Sequence, residues 1–417
     1  MGTYHWLDES DISSLISEKN KIYPDAPFYL FKRQDINLRL EYNKSWILSE
    51  IMITNSVGIV TARDHLTIKW SKEEVWNTIN DFVNLHPEEA RIKYDLGQDT
   101  RDWKINLAQQ DIKQSKIEKT NLVPILYRPF DIRQTYYTGK SKGFHCMPRN
   151  EVMTHLMNRN NLAFITTRKT VDQWETFVSE YICSHKSCAA YDINNIFPLY
   201  LYPTNTPTLF ETEPTNSPNG RRPNLAPEFI NELSQKLGLE FFPDGKGDQA
   251  KTFAPEDIFN YIYATFHSPT YRQRYAEFLK IDFPRVPLTS NKQLFWELAN
   301  KGDKLVQLHL MKDTGTEISS YPESGSNLVE QIKYNETKQQ IWINSEQYFD
   351  HIPPHIWNFY IGGYQVCQKW LKDRKGRELS FDDLVHYQNI ISILSETIET
   401  MSDIDQIITK HGGFPFL

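Results

Sequence analysis

Glycine is scarce in this sequence: 17 of 417 residues, about 4% against a usual share of roughly 7%. Folds built around repeated glycine-rich phosphate loops therefore start at a disadvantage. Cysteine is scarcer still, and Cys146, Cys183, Cys188 and Cys367 are too few to staple so long a chain, which fits a reducing cytoplasm. No uninterrupted apolar run reaches about 18 residues, and the mean hydropathy is −0.57, which excludes a membrane-spanning helix. Met1 to Ser10 are polar and acidic, without the basic and then apolar segments of a secretory signal, and this again points to the cytoplasm.

What is present is a globular composition, with 39% hydrophobic, 13% aromatic and 24% charged residues. Disorder as the dominant state is excluded, and at about 150 residues per domain the length suggests two or three domains. Net charge is −7, which argues weakly against a nucleic-acid partner only if charge is uniform. It is not uniform. Residues 128–170 hold eight basic side chains, Arg128, Arg133, Lys140, Lys142, Arg149, Arg159, Arg168 and Lys169, against two acidic ones, Asp131 and Glu151.

The clearest boundary is Pro203 to Pro223, where five prolines remove backbone donors. It divides a mixed α/β lobe, 1–202, from a mainly helical lobe, 225–417, across a proline-rich linker, 203–224. A second polar stretch runs from Asp313 to Asn327. Ser71-x-x-Glu74 is a capping box that predicts a helix over 71–85, with Val75, Ile79, Phe82 and Val83 on one face. Short apolar runs at Phe28–Phe31, Val57–Val60, Leu122–Leu126, Leu162–Thr166 and Phe197–Tyr202 read as strands. The expectation is an α+β protein: a mixed sheet with flanking helices in the first lobe, then helices and one small β-hairpin. Pro227, Pro255 and Ser268-Pro269 mark helix starts in the second lobe, Ser290 caps a helix ending at Gly302, and Ser380-x-x-Asp383 opens a long helix. Val329–Tyr334 and Gln340–Ile343 supply the hairpin.

Catalytic motifs are missing. There is no G-x-S-x-G, P-loop or H-E-x-x-H. The one G-x-G, Gly245-Lys246-Gly247, lies in a polar loop and reads as an ordinary turn. Pro353-Pro354 lacks the polar and aromatic neighbours that methylation of a flipped base needs, and reads as a helix start before Trp357. Cys183-x-His185-x-x-Cys188 offers three metal-type ligands with no second pair, so buried thiols beside a surface histidine are the simpler reading. Pro24-Asp25 with Asp111-x-Lys113, or Pro243-Asp244 with Glu336-x-Lys338, match a nuclease pattern loose enough to arise by chance. No catalytic, metal or cofactor residue is assigned, and whether the chain is an enzyme stays open.

Binding features are stronger. Tyr127-Arg128-Pro129-Phe130-Asp131-Ile132-Arg133-Gln134-Thr135-Tyr136-Tyr137 interleaves arginines with aromatics and runs on to Lys140, Lys142 and Arg149. Guanidinium forks suit phosphate oxygens and guanine edges. The alternative is a strand with core aromatics and an internal Arg128–Asp131 pair. Further basic groups are Arg168 and Lys169, Arg272 and Arg274 on a predicted helix, Lys292 to Lys304, and the stretch from Lys369 to Arg377 with Lys372, Arg374 and Lys375. A solvated loop is the ordinary reading of such a charge run.

Five strings, YRPFDIRQTYY (127–137), FPLYLY (197–202), DFPRVP (282–287), IGGYQVCQKWLKDRKGR (361–377) and LSFDDLVHYQNII (379–391), resemble the C-terminal specificity region of Type ISP restriction-modification enzymes. SVGIVTARD (56–64) is similar to the segment after the methyltransferase core in such proteins and in single-chain restriction enzymes that also methylate adenine. The resemblance runs from about residue 20 to about 405. It implies a target recognition domain that docks on double-stranded DNA and directs adenine methylation and cleavage. Nuclease, helicase and methyltransferase domains would be partners, and S-adenosylmethionine, ATP and Mg2+ would belong to them. They precede this region in the family, so a separate subunit, a truncated product or an excised domain is expected. The candidates for DNA contact are Arg128, Arg133, Lys140, Lys142, Arg149, Arg168, Lys169, Arg272, Arg274, Lys372, Arg374, Lys375 and Arg377. A competing expectation is an interaction subunit that docks a separate methyltransferase and has little DNA affinity alone.

Overall fold

The computed structural model describes residues 35–171, 173–203 and 220–416. The strand expected at Phe28–Phe31, the Pro24-Asp25 pattern and most of the proline-rich linker lie outside them. Met1–Lys44 is a unit of its own, in which a helix, Ile36–Asn43, is capped by the Asp35 carboxylate accepting from the Leu38 amide at 3.0 Å.

Ser45 onward is the second unit, and it is α+β. Eight strands of its first part form two four-stranded sheets. One places Leu122–Arg128 between Asp131–Tyr136, antiparallel, and Ile182–Cys183, parallel, with Ile68–Lys69 on the far edge of the hairpin. This is the mixed sheet. The other is antiparallel throughout and orders Ser56–Val57, Asn194–Pro198, Ala163–Thr167 and Thr176–Ser179.

The helix after the capping box runs Lys72–Asn84, with Ser71 Oγ accepting from the Glu74 amide at 3.1 Å. Its buried face, Val75, Ile79, Phe82 and Val83, joins Trp103 and, from the helix Ile105–Gln114, Ile105 and Ile112 in a small core. Each side chain so buried contributes about 1.5–3 kcal/mol. Pro227 and Pro255 both open helices, as their missing N–H allows. The helix expected to stop at Gly302 does not: it runs Lys292–His309 and is capped by Asn291 instead of Ser290. Gly302 lies inside it because a Cβ there would come within 1.8 Å of the Asn260 carbonyl on the helix Pro255–His267. The glycine marks a close helix crossing, and a crossing glycine and a terminating one look alike in sequence.

The hairpin forms as Lys333–Asn335 and Gln340–Trp342 and gains a third strand, Tyr348–Phe349. Ser380 opens a 30-residue helix, Phe381–Lys410, through a complete capping box. One hydrophobic core takes in Ile125, Phe130 and Phe177 from the first part and Leu308, Trp370, Tyr387 and Ile391 from the last. Side chains on both sides of the proline-rich stretch therefore share one interior.

Candidate nucleic-acid interface

The interleaved segment forms a hairpin whose turn spans Arg128 to Asp131. Phe130 sits at φ +58°, costly for a residue with a side chain, and is held there by packing: its buried ring meets Phe177 edge-on at 5.3 Å. His386 of the 30-residue helix contacts the Phe130 carbonyl at 2.8 Å. The register shifts between Leu126 and Arg128, a bulge that re-aims Tyr127 and Arg128.

Asp131, 1% exposed, is the hub. Its carboxylate accepts from Arg133 Nη2 at 2.8 Å and from Arg374 Nη2 at 3.2 Å. Arg374 comes from the loop after the helix Val366–Lys372, so two basic segments far apart in sequence meet at one anion. Burial pushes the Asp131 carboxyl up, and the two guanidiniums more than reverse this, leaving it below its ordinary value. Burial lowers the Arg374 guanidinium, with Asp131 opposing.

Aromatic rings fix the arginines. Trp70 carries three guanidiniums, with Arg133, Arg377 and Arg374 centred 3.8, 4.3 and 4.7 Å from its ring. Tyr127 carries Arg128 at 3.9 Å and Arg133 at 4.1 Å. Arg128 Nη1 donates to the carbonyls of Tyr127 and Lys186, and its buried Nε has no partner among the described residues. Tyr364, whose hydroxyl donates to the Lys186 carbonyl at 2.9 Å, faces the same guanidinium. Burial raises the Tyr127 and Tyr364 hydroxyls to about 12, so both stay neutral. The Gly362-Gly363 turn makes this packing possible. Gly362 has φ +57°, and a Cβ on it would lie 1.9 Å from the Cys188 carbonyl.

The predicted contacts therefore fall into different environments. Arg374 is buried and paired; Arg133 and Arg128 are half-buried and stacked. The internal Arg128–Asp131 pair gives way to pairs from Arg133 and Arg374. Lys372 ends the helix Val366–Lys372, and Lys375 and Arg377 lie on the loop after it; all three are exposed and have no ion pair among the described residues. Lys140 donates to Gln114 at 2.6 Å, Lys142 lies 3.6 Å from Asp102, and Arg149 caps a short helix at φ +58°. Elsewhere, exposed Arg168 pairs with Asp282 at 3.0 Å beside exposed Lys169. Arg272 forms a two-pronged pair with buried Glu175 and donates to the Phe266 carbonyl at 2.7 Å. Arg274 is exposed at the end of the helix Pro269–Arg274, 5.9 Å from the Tyr275 ring.

Trp70, Lys186, Tyr364 and His386 had not been singled out. Only Trp70 carried a signal, as the residue just before the capping box, where the chain entering a helix packs its apolar side chain. In the cysteine cluster Cys183 and Cys188 are buried, and burial pushes the Cys183 thiol up to about 12. The Gly245–Gly247 turn is tied into the chain by internal contacts. Its Gly247 amide already donates to Asp257 at 2.7 Å, and a Cβ on Gly247 would meet the Thr252 carbonyl.

Residues 50–403 match the Type ISP C-terminal specificity domain. The chain belongs to that family. Three solved structures share the fold of the specificity domain at low identity. A nuclease-deletion mutant of the Type ISP restriction-modification enzyme LlaGI in complex with a DNA substrate mimic is 19% identical, with a TM-score of 0.63 over 92% of this chain and 36% of that one. The DrdV–DNA complex is 17% identical, with a TM-score of 0.69 over 96% and 41%. The ATP-dependent Type ISP enzyme LlaBIII bound to DNA is 18% identical, with a TM-score of 0.65 over 92% and 26%. The specificity domain thus spans less than half the length of each. No curated protein matches. No helix among the described residues is long and apolar enough to cross a membrane.

Proposed function

We propose that this specificity domain recognises a particular double-stranded DNA sequence and so directs adenine methylation and cleavage by catalytic domains outside the chain. The family match over residues 50–403 carries the reading. The DNA complexes among its structural neighbours support it, as does the cation-rich hairpin and loop around Trp70. Methyltransferase, helicase and nuclease domains are its partners in this reading. S-adenosylmethionine, ATP and Mg2+ act on those domains, and the cytoplasm, where such a system meets DNA, is its place.

Recognition divides into phosphate contacts that position the domain and base contacts that choose the site. Binding-site selection from random duplexes should enrich one sequence. Log K should fall against log salt with a slope of roughly −5 if about six phosphates are neutralised. Failure to enrich any sequence, together with a slope near zero, would defeat the proposal and favour a subunit that only docks a methyltransferase.

A further inference from the structure

We infer that Arg377 is a phosphate-contact residue and that Trp70 is the positioning residue that aims it, an assignment that rests on the DNA-binding reading above. Three guanidiniums crowd one indole. Two of them are neutralised within the protein: Arg133 and Arg374 share Asp131, with Asp373 3.7 Å from Arg133 and Asp383 3.8 Å from Arg374. Arg377 is the exposed member and has no carboxylate partner among the described residues. Arg377 is therefore the guanidinium of the cluster left for an external anion, and a phosphate oxygen is the group that would complete it.

The backbone supports the same geometry. Arg377 follows Gly376, at φ +80°, and its carbonyl accepts from Val329 at 2.9 Å. The Gly376 amide donates to the Val329 carbonyl at 2.8 Å. The loop is therefore tied down on both sides of the exposed arginine. A long side chain loses rotamer freedom when it is ordered. The Trp70 ring meets part of that cost before DNA arrives, as preorganisation requires. The neighbouring Lys372 and Lys375 extend the same cationic rim, with no ring against them among the described residues.

The test is duplex binding by the full chain, measured across a salt series with the selected sequence and with a scrambled one. Arg377→Ala should weaken both complexes by roughly tenfold and make the salt slope shallower by about 0.9. Trp70→Leu should weaken binding several-fold without changing the slope, and Trp70→Phe should restore it. In the Arg377→Ala background Trp70→Leu should have no further effect, whereas a purely structural Trp70 would give additive losses. Additivity overturns the positioning role. A loss confined to the selected sequence overturns the phosphate assignment, as does an Arg377→Ala protein that binds like the parent. A parent chain with no salt-dependent affinity overturns the DNA reading itself and the assignment with it.

Discussion

Two buried carboxylates, Asp131 and Glu175, each tie an arginine from the second half of the chain to a strand of the first, and they do so differently. Glu175 meets Arg272 alone, two-pronged, and the charges cancel. Asp131 meets Arg133 and Arg374 together, and Arg377 adds a third guanidinium on the shared indole. One centre is saturated and faces inward; the other adds an exposed guanidinium, Arg377, that has no carboxylate partner among the described residues. A sequence rich in arginine does not separate these cases. Which guanidiniums have a carboxylate within reach does.

The largest effect should come from Asp131→Asn, which leaves two guanidiniums buried with 12% and 8% of their side chains exposed. A loss of about 3–5 kcal/mol is expected, read from the urea unfolding midpoint. Glu175→Gln strands one arginine and should cost less, about 3 kcal/mol. Replacing Glu175 and Arg272 together by Leu and Met should recover most of that loss, since a buried pair exchanged for packed apolar side chains is often neutral. No such exchange should rescue the Asp131 centre, whose second arginine would remain. Equal costs at the two carboxylates would remove the distinction.

Acid should separate the centres next. The folded Asp131 carboxyl lies below its ordinary value, so its stabilisation is present above about pH 4 and is lost as pH falls through the folded pKa. Burial holds the Glu175 carboxyl above its ordinary value, with Arg272 pulling back. Between that ordinary value and the folded pKa the native state binds more protons, so the Glu175 contribution falls as pH rises. Relative to the parent, Asp131→Asn should flatten the acid loss of stability and Glu175→Gln should steepen it. Unfolding midpoints at a series of pH values provide the check, and slopes changing in the same direction would refute it.

Local signals in the sequence were read well where short-range chemistry decides the outcome. The capping boxes at Ser71 and Ser380 gave helix starts, and the strand runs from Val57 to Tyr202 fell on observed strands or bridges. Gly302 misled because close helix approach and helix termination both favour glycine. Of the interface, the hairpin and the 369–377 loop were legible as separate basic segments. Their convergence on Asp131 was not, because a carboxylate 243 residues from Arg374 leaves no local periodicity to detect. The Arg272 pair was hidden for the same reason: its partner, Glu175, is 97 residues away.

The smallest expected change concerns the stability of the exposed arginine itself. Arg377 gains an exposed cation–π contact worth about 0.5–1 kcal/mol, while Arg133 and Arg374, both paired with Asp131, repel it only weakly across the same ring. Arg377→Met, which keeps an apolar stem on Trp70, should therefore shift stability by no more than about 1 kcal/mol. At low salt the relief of repulsion should offset part of the lost contact. At high salt that repulsion is already screened, so the variant should then look less stable relative to the parent. Arg272→Met should cost several times more and respond little to salt, because its pair is buried. Urea midpoints for both variants at two ionic strengths separate the outcomes. A cost above about 2 kcal/mol for Arg377→Met would make that arginine a structural clamp like Arg272, and the contrast between the two centres would be lost.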